Sequence, residues 1–217
     1  MVQKHSKKYA ALALLEFETI ASGILASDLM VKRSPIALLR CGTVHPGRFL
    51  ILVGGSVAST QEAHQVGVKL GNIEHTLTSS VFLGDVHPML HDAVLGTRLP
   101  LQGEALAVIE TRSSPALLAA VDAAVKSTPV TLSEVRLADD LGGHAIALMS
   151  GDLTDADTAL GICADRAGDQ LLARTILPRL DINLRQLLDQ GTSFALSPAF
   201  EPAGAEHPEE VACSWAE

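Results

Sequence analysis

Ala11-Leu-Ala-Leu-Leu-Glu16 returns as Ala105-Leu-Ala-Val-Ile-Glu110, and the fold follows from that recurrence. The same offset of 94 pairs Asp28 with Asp122, Val31 with Val125, Lys32 with Lys126 and Pro35 with Pro129. Between residues 11 and 38, ten of 28 positions are identical in the two copies, several times the agreement of unrelated sequences with this composition. From the glycine that follows, the offset is 96: Gly47 pairs with Gly143 and Gly55 with Gly151. The second copy therefore carries two extra residues before that glycine, an insertion of the kind that loops accept. Leu83 to Gly96 and Leu177 to Gly191 close the copies in similar ways. A duplicated domain is the economical reading. The predicted domains are 10–98 and 104–191, with a linker around Leu99 to Gly103 and a tail over 192–217.

Each copy mixes helix and strand signals. Ala11 to Phe17 is an uninterrupted apolar run except for Glu16, the pattern of a strand covered on both faces. In the second copy Ser113, Ser114 and Pro115 suit an N-cap and first turn, and Leu117, Leu118, Val121 and Val125 fall on one helical face. Pro35 and Pro129 end that helix. Two strands follow, Ile36 to Cys41 and Arg48 to Val53, joined by Gly42-Thr-Val-His-Pro-Gly47; the counterparts are Val130 to Leu137 and His144 to Met149. Ser56 and Ser59 in one copy, and Asp152, Thr154 and Asp155 in the other, are placed to start a second helix. A last strand is expected near Leu77 to Leu83 and Leu171 to Ile176. The order β-α-β-β-α-β makes each copy an α+β unit related to the ferredoxin-like fold.

Composition narrows the function. The 217 residues are 47% hydrophobic and 19% charged, so the chain must pack. Its longest uncharged stretch in the apolar centre, Phe49 to Thr60, is well short of the roughly 20 residues that cross a bilayer, and no membrane partner is expected. Glu16 and Glu18 interrupt the N-terminal apolar run behind Lys4, Lys7 and Lys8, which argues against a signal peptide and for the cytoplasm. Cys41, Cys163 and Cys213 are scattered and odd in number, unlike a disulfide framework or a paired-cysteine metal site. A net charge of −9 and only seven aromatic residues argue against nucleic acid as a partner. The tail has five acidic residues, three prolines and no Lys or Arg, the composition of a mobile segment.

The residues also carry a family resemblance. Ala11 to Glu16 and Ala105 to Glu110 are similar to the opening strand of the bacterial microcompartment (BMC) shell domain. Ala26-Ser-Asp28-Leu-Met-Val-Lys32 and Ala120-Val-Asp122-Ala-Ala-Val-Lys126 are similar to its signature helix end, and the strands that close on Gly55 and Gly151 fit it too. Both copies begin at the opening strand, so the chain resembles a direct, non-permuted tandem of the trimer-forming kind that acts as a pseudohexamer.

That resemblance implies a homotrimer: a six-domain tile that packs with other shell proteins, hexamers and pentamers, in a microcompartment shell. It implies no catalysis. The loops would meet at a central pore lined by His45, Pro46, Gly47, Leu141, Gly142 and Gly143, with Asp139 and Asp140 beside them, where small polar metabolites would pass. The family's usual Gly-Ser-Gly tip is absent from both copies, so the lining is this chain's own; His45 would change its charge near neutral pH. Asp28, Lys32, Asp122 and Lys126 would lie at tile edges. So would Arg179, from the Pro178-Arg179 pair that Gly84-Asp85 replaces in the first copy. Some tandem shell proteins hold an iron–sulfur cluster through pore-tip cysteines; neither tip here has one, and Cys41 is expected to be a small buried hydrophobe. No metal or cofactor is expected.

Other motifs are weaker. His87-Pro-Met-Leu-His91 has the spacing of two imidazoles on one helix face, but Pro88 favours a helix start and no acidic third ligand is fixed. Gly54-Gly55-Ser56 lacks a phosphate-binding lysine and is read as a packing turn. Asp152, Asp155 and Asp157 suit the first turn of a helix. The competing function is a tandem ferredoxin-like regulator that binds a small ligand between its domains. An enzyme using His87, His91 or His144 ranks last, because no nucleophile–base pair is legible.

Overall fold

The computed structural model describes residues 8–198. Lys4, Lys7, Cys213 and most of the predicted acidic tail, residues 199–217, lie outside the described residues.

The first domain runs β1 (Ala11–Phe17), α1 (Ile20–Arg33), β2 (Leu38–Val44), β3 (Arg48–Gly55), α2 (Val57–Ile73), β4 (Leu77–Leu83) and α3 (Pro88–Val94). The second repeats it as β5 (Ala105–Thr111), α4 (Ser114–Ser127), β6 (Thr131–Leu137), β7 (Ala145–Gly151), α5 (Leu153–Ala167), β8 (Leu171–Leu177) and α6 (Ile182–Leu188). The sheets have the orders β2-β3-β1-β4 and β6-β7-β5-β8, both antiparallel. The registers of β1 and β5 with their neighbours agree, while the outer pair β6–β7 has a bulge between Leu132 and Glu134 that β2–β3 lacks. Ala11 faces Gly55 and Ala105 faces Gly151, and a bulge falls between Glu16 and Phe17 and again between Glu110 and Thr111.

The predicted β-α-β-β-α-β order is present in each domain, followed by a short helix that it did not include. α3 starts at His87, whose Nδ1 accepts the Met89 N–H at 3.3 Å, with Pro88 in the first turn. α6 starts at Asp181, whose carboxylate accepts the N–H groups of Asn183 and Leu184. Strand β2 begins two residues later and ends three later than Ile36 to Cys41: Ile36 N–H is still held in a turn by the Ser34 carbonyl at 2.8 Å, and the paired ladder runs from Leu38 to Val44. The helix starts agree with the sequence: Ser113 and Asp152 are N-caps, and the Ser56 hydroxyl accepts the Ser59 N–H at 3.2 Å.

Alternation along β1 decides how the domains join. Ala13, Leu15 and Phe17 face α1 and α2, forming one core with Met30, Ile51 and Val53. Leu12, Leu14 and Glu16 point to the other face, which β3 extends with Leu50 and Leu52. That face is covered by the second domain: α4 packs on β1 and β4, and α3 crosses to pack on β6 and α4. The linker is held down as well. Arg185 donates to the carbonyls of Leu101 and Gly103 at 2.8 and 2.7 Å, and Leu101 N–H donates to Asp189 at 2.8 Å. Among the described residues no helix is long and apolar enough to cross a membrane.

Candidate functional site: the paired turns and the flanking edges

The β2–β3 and β6–β7 turns come together beside the domain junction. In the first, Gly47 has φ +92° and its N–H bonds to the Val44 carbonyl at 3.0 Å. The second is longer by Asp139 and Asp140, so the insertion read from the sequence does fall in a loop. Its path needs left-handed backbone at Ala138, Asp140, Gly142 and Gly143. Ala138 N–H bonds to the His144 carbonyl and Leu141 N–H to the Ala138 carbonyl, at 3.0 and 3.1 Å. Gly143 touches the first turn: a Cβ there would stand 3.0 Å from Pro46 Cδ and 3.2 Å from the His45 carbonyl oxygen. Glycine is what lets the two turns abut.

This contact brings His45 of one domain to Asp139 and Asp140 of the other. Each offers one ligand atom, and the three atoms lie within 4.8 Å of one another on the exposed surface. One imidazole and two carboxylates are oxygen and nitrogen donors of the kind a divalent cation takes, and at neutral pH they make the tip acidic. Beside them a groove of about 530 Å³ runs between the domains, its wall formed by Arg40, Cys41, Arg136, Asp139 and Asp140 and its floor by Leu14 and Leu50.

Beneath the turns lies a buried ion pair that the sequence did not reveal. Glu16 is fully buried; its carboxylate accepts from Arg48 Nη1 at 2.6 Å and from the Ser114 N–H at 3.0 Å. The first donor anchors the start of β3, and the second belongs to the open N-terminus of α4 in the other domain. Burial pushes the Glu16 carboxyl above its usual range, while the Ser114 N–H and Arg48 pull it back. A lone acid recurring in an apolar strand, as Glu16 and as Glu110, was the available signal.

The expected edge residues lie on the ends of α1 and α4. Lys32 reaches Asp28 at 2.6 Å and Lys126 reaches Asp122 at 2.5 Å, both i,i+4 pairs in the last helical turns. Asp122 also accepts the His87 N–H at 2.8 Å inside the domain junction, so it is buried while Asp28 is exposed. Arg179 is exposed just after β8.

One reading needs correction. Cys41 is exposed, because β2 is an edge strand whose residues face the groove; Cys163 is the buried cysteine, its thiol pushed up to about 12 by desolvation. His87 and His91 do not pair, and Pro88 opens a helix as the sequence favoured. His91 is buried, with Nε2 accepting the Tyr9 N–H at 3.2 Å and Nδ1 2.7 Å from Asp92, while His87 caps the helix. Gly54 is a packing glycine, as read: a Cβ would lie 2.7 Å from Leu12 Cδ2.

Comparison with known proteins matches this architecture. The BMC domain family matches residues 11–85 and again 105–180. The chain is 33% identical over 171 residues to the bacterial microcompartment shell protein PduT of Citrobacter freundii, covering 78% of this chain and 92% of that protein. It is 25% identical over 206 residues to the carboxysome assembly protein CcmO of a Synechocystis species, covering 88% of this chain and 68% of that one. Among solved structures, a microcompartment protein from Desulfitobacterium hafniense superposes with a TM-score of 0.71 at 28% identity, over 81% of this chain and 98% of the other. A fused permuted hexameric shell protein of the RMM microcompartment shares the fold at a TM-score of 0.52 and 16% identity, over 72% of this chain and 83% of that one. The chain belongs to the BMC-domain family of microcompartment shell proteins and carries two copies of the domain in tandem.

Proposed function

We propose that the chain is a non-enzymatic shell tile: three copies form a pseudohexamer whose six turns surround a central pore for small polar metabolites. The observation that carries this reading is the abutment of the two turns through Gly143 and Pro46, which sets His45 against Asp139 and Asp140. Around a threefold axis this unit would repeat three times, alternating the short His45-Pro46-Gly47 tip with the longer, acidic tip ending in Leu141, Gly142 and Gly143. A narrow opening lined this way selects by size and favours cations over anions. Lys32, Lys126 and Arg179 are assigned to contacts between tiles, with Asp28 and Asp122 holding the two lysines in place. Other shell proteins, hexamers and pentamers, are the partners of those edges, and the assembled shell in the cytoplasm is where the tile works.

Light scattering and negative-stain microscopy of the purified chain test the assembly; three-chain particles with a hexagonal outline are expected, and stable monomers would refute it. For the pore, cation-over-anion selectivity in a planar bilayer is expected to drop in Asp139→Asn/Asp140→Asn. Unchanged selectivity in that double variant would remove those residues from the lining.

A further inference from the structure

The two residues that the second copy adds to its turn are both acids, Asp139 and Asp140, and the domain junction delivers them to a histidine of the first copy. His45 offers an imidazole nitrogen and each aspartate a carboxylate oxygen, the three atoms within 4.8 Å of one another. Donor atoms on one ion, at bond lengths of about 2.0–2.2 Å, stand at most about 4.4 Å apart, so these exposed side chains close on an ion by small rotations. The backbone beneath them is already set. Asp140 holds a left-handed φ of +59°, the Leu141 N–H is bonded to the Ala138 carbonyl at 3.1 Å, and Gly143 rests against Pro46 of the facing turn. Among the described residues neither acid is in an ion pair. Arg48, which stands beside Gly143, is committed to Glu16 at 2.6 Å, and Arg136 donates to the Thr192 hydroxyl at 3.2 Å. Two adjacent carboxylates with no cation against them repel each other, and a divalent ion removes that repulsion.

We propose that His45, Asp139 and Asp140 bind one divalent transition-metal ion per chain, which bridges the imidazole of the first domain to the two carboxylates of the second. The donor set decides the class of ion. An imidazole with two carboxylates suits zinc and its first-row neighbours, whereas calcium and magnesium take oxygen donors. Three protein donors leave the remaining positions to water. The site uses no cysteine and is complete within one chain. Once bound, the ion ties the two turns together and takes the three side chains from two negative charges to none, which would end the preference of the opening for cations. That last consequence rests on the tile reading; the ion site itself does not.

The test is titration of the full chain with zinc chloride by isothermal titration calorimetry, with light scattering on the same samples. Wild type is compared with Asp139→Asn/Asp140→Asn, with His45→Gln, and with His75→Asn, which removes an exposed histidine outside the site. Asparagine keeps the shape of both aspartates and tolerates the left-handed backbone at position 140, and melting curves without metal show that each variant is folded. The expected result is that wild type and His75→Asn take up one zinc per chain that the other two variants bind at least about tenfold more weakly. Zinc should also raise the melting temperature of the first two proteins and not of the others. Unchanged uptake in both ligand variants, or no uptake by wild type at millimolar zinc, overturns the site. A loss confined to the aspartate variant removes the imidazole and overturns the three-ligand assignment. Three-chain particles that bind no zinc overturn the site and leave the tile standing; monomers that bind one zinc per chain do the reverse.

Discussion

Removing the Arg48 guanidinium should unmask the cost of burying Glu16, and the size of that cost can be bounded. The carboxylate is fully buried and holds two partners, Arg48 Nη1 at 2.6 Å and the Ser114 N–H at 3.0 Å. At the effective dielectric that suits such pairs, two unit charges about 4 Å apart attract by roughly 4 kcal/mol. Breaking one side of a buried pair typically costs about 3–5 kcal/mol. Arg48→Ala leaves Glu16 a cheaper escape, which is to take up a proton. That escape costs about 1.4 kcal/mol for each pH unit between the wild-type folded value and pH 7, and because that value lies above 4.5 the loss is capped below about 3 kcal/mol.

The pH dependence has a fixed sign. Glu16 carries a folded-state value raised above the unfolded one, so the stability tied to its proton is full below about pH 4.5 and is lost as pH rises through the folded value. Without Arg48 the folded value rises further. The deficit of Arg48→Ala relative to wild type should therefore be at most about 3 kcal/mol at pH 7 and shrink by up to about 1.4 kcal/mol for each unit of acidification until the wild-type folded value, above 4.5, is reached. Urea unfolding of both proteins at pH 7, 6 and 5 measures it, run at several protein concentrations so that association is separated from folding. A loss below about 1 kcal/mol at pH 7, or a deficit unchanged at pH 5, would refute the reasoning.

Three further outcomes are expected. With Cys213 replaced by Ser, a thiol reagent should label Cys41 within minutes under native conditions and Cys163 only in urea, because Cys41 is exposed and Cys163 is buried with its thiol pushed up to about 12; equal native rates would contradict the placement of β2. Gly103→Ala should lower stability by more than about 2 kcal/mol in a urea titration, since φ is +68° there and the added Cβ would sit 2.5 Å from the Gly151 carbonyl group, which is backbone and does not yield. Leu118→Ala should cost about 2–4 kcal/mol, as for other buried leucines, although it lies on the outer face of its helix; a cost under 1 kcal/mol would mean that the domains do not pack in solution as they do here.

What was legible in the sequence was whatever both copies repeat. Strand β1, the helix ends at Pro35 and Pro129 and the turn insertion could each be checked against a second example, and periodicity supplied the rest. The short helices α3 and α6 went unassigned because seven residues carry barely two turns of pattern, although Pro88 marked one start. Cys41 was misjudged for a different reason: its strand also carries Leu38, Leu39 and Val44, but β2 is an edge strand, and strand order is a tertiary fact. The family resemblance put His45, Asp139 and Asp140 in one neighbourhood, but their direct approach depends on how one domain is set against the other and has no signal in either loop alone. For the same reason Glu16 was visible as an odd acid in an apolar run while its partners, 32 and 98 positions away, were not.

The two copies have diverged where a fused chain allows it. The registers of the central strands β1 and β5 and the bulge after the repeated acid are the same in both, since a slip of one residue would turn an entire apolar face outward. The outer helix faces differ in a consistent direction: Ile20, Leu25 and Leu29 on α1 stand where α4 has Ser114, Ala119 and Ala123. That difference follows from what each helix must do. The junction formed by α4 joins two parts of one chain, so its partner is always present at high effective concentration. In the proposed trimer, a junction made by α1 with a separate chain must also offset the freedom lost on association, about 4–15 kcal/mol. At roughly 25 cal/mol per Å² of buried apolar surface, larger side chains at three positions are a direct way to supply part of it. Shortening them together, in Ile20→Ser/Leu25→Ala/Leu29→Ala, should leave the melting temperature of dilute protein nearly unchanged while raising the concentration at which three-chain particles form by at least tenfold. A midpoint that does not move would show that the larger α1 stripe serves something other than assembly.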